Sequence, residues 1–111
     1  MRCRDLADRV QSRAPEADTS EIARLCLLMT NLVEDIQTLQ DEDQLSQAYR
    51  DASLRLQAAT DQHSAVTQEL EDLANSDPKQ FDREQIWVLL RAIKVQSQIL
   101  QMYIGGDVID V

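Results

Sequence analysis

A chain of 111 residues with two glycines, two prolines and four aromatic residues is long enough for one modest core and is composed for helix. Neither helix breaker occurs between Glu16 and Asp77, and turn residues and β-branched runs are too few for a β or α/β architecture. The net charge of −9 repels phosphate backbones and anionic lipid, which counts against non-specific nucleic-acid or membrane-surface binding.

The first segment, residues 3 to 14, has the makings of a short helix or arm, with Cys3, Leu6, Val10 and Ala14 on one side. Pro15 ends it, because the residue before a proline is pushed out of the α region. Arg4, Arg9 and Arg13, with Arg2 just before them, make this the one stretch of the N-terminal half that is not acidic.

Asp18 then offers an N-cap, with Glu21 three residues on as in a capping box. From there Ile22, Leu25, Met29, Leu32, Ile36 and Leu39 recur at spacings of three and four. That heptad seam predicts a helix over about 19–40. Cys26, Leu27, Leu28 and Val33 widen its apolar face, so it is expected to pack against more than one neighbour.

A longer seam follows, running through Leu45, Tyr49, Ala52, Leu56, Ala59, His63, Val66, Leu70 and Leu73. It predicts a helix over about 43–75, with the seam itself roughly 43 Å long. The two seams are out of phase at Asp41, Glu42 and Asp43, where the chain is expected either to turn into a hairpin or to continue as one helix with a phase shift. Asn75 to Lys79 is the clearest break. Asp77 can cap, Pro78 suits the first helical position, and a third helix is expected over about 80–104.

This last helix carries two apolar seams. One is Ile86, Leu89 or Leu90, Ile93, Leu100 and Tyr103 or Ile104; the other is Val88, Ala92, Val95, Ile99 and Met102, and Trp87 adds to the apolar surface. A helix apolar nearly all round must be buried on most sides, more than two companion helices can provide. Its greasy surface therefore implies a partner. Gly105 and Gly106 are placed to stop the helix, leaving residues 105–111 as a tail. Within that tail Val108-Ile109-Asp110-Val111 resembles short motifs that add a strand to ubiquitin-like modifiers or end in a PDZ-domain groove.

Sites for chemistry are sparse. His63, the sole histidine, stands at a seam position, where a polar residue more often sets register or makes a helix contact than holds a metal. Glu69, Glu71 and Asp72 lack the Glu-x-x-His pattern of a bundle metal site and read as a solvated face. No phosphate-binding loop, nucleophile elbow or Cys-x-x-Cys is present, so no catalytic residue, metal or cofactor is expected. Cys3 and Cys26 form no disulfide framework, and no signal peptide is visible, which together suggest a reducing cytoplasmic location. Arg91, Lys94 and three glutamines interrupt the apolar stretch from Ile86 to Ile104, so no membrane insertion is expected.

These readings converge on an all-α fold: an antiparallel helical bundle or hairpin with coiled-coil-like packing, comprising an arm (1–17), a bundle domain (18–104) and the tail. The expected function is non-enzymatic, that of a structural or adaptor protein that self-associates, with a dimer favoured. The interface is expected at Trp87, Val88, Val95, Ile99 and Met102. The alternative is an acidic chaperone or regulatory module that binds an amphipathic helix of a client. The general look is similar to dedicated secretion chaperones and small coiled-coil adaptors.

Overall fold

The computed structural model describes residues 1–104, and these are all-helical, with no strand among them. Four α-helices follow in order: α1 (Cys3–Arg13), α2 (Thr19–Asn31), α3 (Glu42–Ala74) and α4 (Arg83–Ile104). Two short 3-10 turns, Ile36–Gln40 and Pro78–Gln80, precede α3 and α4. The chain divides into two compact units, Met1–Gln57 and Ala58–Val111. The reading of Val108 to Val111, like that of the stop at Gly105, lies outside the described residues.

Each helix start is fixed by a side chain that takes a backbone N–H left without an intrahelical partner. Asp5 accepts from the Arg2 N–H at 3.0 Å, and Asp18 accepts from the Glu21 N–H at 2.8 Å. Asp41 accepts from the Gln44 N–H at 3.2 Å, and Asp82 from the Glu84 and Gln85 N–H groups at 2.9 and 3.2 Å. At Asp82 the box is reciprocal, since the Gln85 side chain takes the Asp82 N–H at 2.8 Å. The cap expected at Asp77 forms as well, but it opens the 3-10 turn, with the Lys79 N–H at 3.0 Å. The α-helix proper therefore starts after a second cap.

One expected element is corrected. The helix predicted over 19–40 ends at Asn31, and the last part of its seam lies on the 3-10 turn. Local competition explains the break. Asn31, Val33 and Asp35 are weak helix formers, and Asp35 captures the Gln37 N–H at 2.9 Å while its carbonyl accepts the Thr38 hydroxyl at 2.7 Å. Leu39 is nonetheless fully buried, carried on the 3-10 turn. Of the two expectations at residues 41–43, a turn or one continuous helix, the helix is interrupted: Asp41 is extended, with φ −71° and ψ 127°.

The first unit holds most of the core. Leu6 and Val10 of α1, Ile22, Leu25, Leu28 and Met29 of α2, Leu39, and Leu45, Ala48 and Ala52 of α3 are all buried. Polar contacts close its edge. Arg9 donates to the Leu39 and Gln40 carbonyls at 2.9 and 3.1 Å, satisfying the end of the 3-10 turn, and also pairs with Glu42. Arg13 pairs with the same carboxylate, donates to the Ser46 hydroxyl at 2.7 Å, and lies 5.9 Å from the Tyr49 ring centroid. The arginines of the predicted arm thus tie α1 to the start of α3.

The second unit pairs the later part of α3 with α4. His63 meets Gln96, and Glu69 meets Arg91, so the partner number falls as the α3 number rises. The two helices run antiparallel. Its buried side chains are small, namely Ala59, Val66 and Ala92, which permits close helix approach but leaves little apolar volume between two helices.

Candidate protein-binding face on the last helix

The two seams of α4 have different surroundings. Ala92 is buried, and Val88, Val95, Ile99 and Met102, at the same heptad spacing, are half-buried. This is the side turned to α3: Val88 and Arg91 line a cleft of about 310 Å³ together with Glu69, Asp72 and Leu73 of α3 and Glu84 of α4. The other seam is open. Ile86, Leu90, Ile93 and Leu100, with Trp87 beside them, are each between 51% and 67% exposed. Ser97 completes their spacing of four, three, four and three.

Four of the five residues expected at the interface, Val88, Val95, Ile99 and Met102, therefore stand on the inward seam, and Trp87 alone stands with the outer one. The outer set was visible in the sequence as a seam but not distinguishable from the inner one by spacing. The single available signal was Ala92, since a small residue amid large ones marks where a neighbouring helix approaches.

Electrostatics set this face apart from the rest of the chain. From Gln85 to Ile104 there is no carboxylate, and the two charged residues are Arg91 and Lys94. Arg91 donates to both oxygens of Glu69 at 3.1 and 3.2 Å, so its charge is matched within the unit. Residues 41–77, by contrast, carry −7. The outer seam is thus an apolar, carboxylate-free strip on an acidic protein.

The other candidate groups do simpler things. His63 is exposed, and its Nδ1 lies 2.9 Å from the nitrogen and 3.3 Å from the oxygen of the Gln96 side-chain amide, joining the pair of helices. Glu71 and Asp72 are both exposed, Asp72 at the edge of the α3–α4 cleft, and the Gln68 amide donates to Asp72 at 3.1 Å. Among the described residues no group of three His, Cys, Asp or Glu side chains is placed to hold a metal ion. Burial pushes the Cys26 thiol up, and the neighbouring Cys3 adds to the effect; Cys3 itself is exposed. No helix among the described residues is long and apolar enough to cross a membrane.

No family model, curated protein or solved structure matches this chain.

Proposed function

We propose that the chain is a non-enzymatic protein-interaction module, structural or adaptor in role, whose working surface is the outer seam of α4. One observation carries this reading: Ile86, Leu90, Ile93 and Leu100 stand exposed in register, with exposed Trp87 beside them, on a stretch of helix that has no carboxylate from Gln85 onward. Scattered exposed leucines are ordinary on any protein, but a continuous strip of this kind marks a binding surface. The heptad spacing of the strip suits another helix, so the coiled-coil-like bundle expected from the sequence is completed by a helix from outside the unit.

A chaperone-like role, in which the same strip shields a client's amphipathic helix, uses the same chemistry. A reducing cytoplasmic setting is proposed for either role because two cysteines in a chain of this length make no disulfide framework.

The test is whether the strip is available and apolar in the folded chain. At high dilution the wild type should bind an environment-sensitive apolar dye, and Leu90→Glu/Ile93→Glu should lose most of that signal while keeping its helical circular dichroism. Equal dye binding by the two proteins would contradict the proposal.

A further inference from the structure

We infer that the occupant of the outer α4 seam is the same seam of a second copy of this chain. The inference rests on the interaction reading above and adds the identity of the partner.

Area is the first argument. At the observed exposures Ile86, Trp87, Leu90, Ile93 and Leu100 offer roughly 600 Å² per chain, taking about 200 Å² for a whole aliphatic side chain and about 250 Å² for Trp. A standard stable interface takes about 800 Å² from each partner. The flanking Ser97 and the aliphatic stems of Arg91 and Lys94, all exposed, border the strip and add a polar rim to that area. The strip is neither too small for a dimer nor so large that a second copy would leave much of it bare.

Charge is the second. Two chains of net charge −9 repel wherever their acidic faces meet. The described part of α4 beyond Gln85 is free of Asp and Glu, so a seam-to-seam contact joins two copies without bringing carboxylates together. Glu69 matches the Arg91 charge within each copy, which removes the corresponding repulsion between guanidinium groups.

Spacing is the third. A four-three-four-three seam is complementary to another seam of the same period, and identical seams related by a twofold axis satisfy this automatically. The most deeply buried side chains of each α3–α4 pair are small, so two pairs joined through α4 form a four-helix arrangement with the now exposed Ile86, Leu90, Ile93 and Leu100 at its centre.

Sedimentation equilibrium of the full chain over a wide concentration range tests this. The wild type is expected to approach twice the 12.6 kDa of one chain. Leu90→Glu/Ile93→Glu should remain at single mass with unchanged helical circular dichroism, and the milder Ile93→Ala should raise the dimer dissociation constant about tenfold. A wild-type dimer that persists in both variants would overturn the assignment of the seam. A wild type that stays monomeric yet binds apolar dye through the strip would overturn the second copy and leave the interaction reading standing. A monomer that binds no dye would overturn both.

Discussion

Ala92 and Ile93 are adjacent on α4 and face opposite surroundings: Ala92 is 3% exposed and Ile93 63% exposed. The helix has two apolar sides, and α3 covers one of them. Substitutions at the two positions should separate accordingly. Ala92→Leu forces bulk into a buried position on the side of α4 turned to α3 and is expected to cost about 1–3 kcal/mol. Ile93→Gln is expected to change the stability of the dilute, unassociated chain by less than about 0.5 kcal/mol. Urea unfolding at low concentration measures both, and a similar loss at the two sites would contradict the assignment of faces.

The first unit should depend on α1. Leu6 and Met29 are fully buried, on α1 and α2 respectively. Leu6→Ala and Met29→Ala should each destabilise by about 2–5 kcal/mol, through lost burial and the cavity left behind. A near-neutral Leu6→Ala would mean that α1 is an accessory arm and not a part of the core.

Glu42 gives the first unit an acid limit. The hydrogen bond from Arg9 holds its carboxyl below the ordinary value of 4.5; desolvation opposes this, and the Arg13 and Arg9 charges add to the lowering. A depressed folded value means that the stabilisation is present above the unfolded value and is lost as pH falls through the folded one. Glu42→Gln should therefore lower stability at neutral pH and flatten the dependence below about pH 4.5. The carboxylate is solvent-accessible, so added salt should shrink the difference between wild type and variant. Denaturation midpoints across pH, at low and high salt, check both expectations.

Much of this was legible in the sequence, and the exceptions share a cause. The long α3 seam and the caps at Asp18 and Asp77 are local patterns, so residue spacing reveals them. The end of α2 at Asn31 was hidden because apolar positions keep helical spacing through Leu39 even though the backbone leaves the helix. Arg9 was unreadable for a different reason: the carbonyls it satisfies are thirty and thirty-one residues away, and no local pattern encodes that distance. The two seams of α4 were both evident. Which one faces α3 depends on tertiary packing, and only Ala92 hinted at it.

Cys26 should react as a half-buried thiol. Burial first, and the nearby Cys3 second, push its titration above the ordinary value of 9.0. The folded protein thus holds this proton more tightly than the unfolded chain. That contribution to stability is present below the unfolded value and is lost as pH rises through the higher folded one. Alkylation of Cys26 in the folded protein should be slower than in urea, with exposed Cys3 labelled first. Mass-spectrometric labelling rates decide it, and equal rates for the two thiols would contradict the packing of α2.

Trp87 is the sole tryptophan, and it stands beside the outer seam with 67% of its surface exposed in the single chain. Its fluorescence therefore reports directly on whether that seam is covered. As wild-type concentration rises, its emission should move to the blue and acrylamide quenching should fall, while Leu90→Glu/Ile93→Glu stays solvent-like throughout. A Trp87 signal that remains solvent-like in the wild type at every concentration would contradict the pairing of two chains through α4.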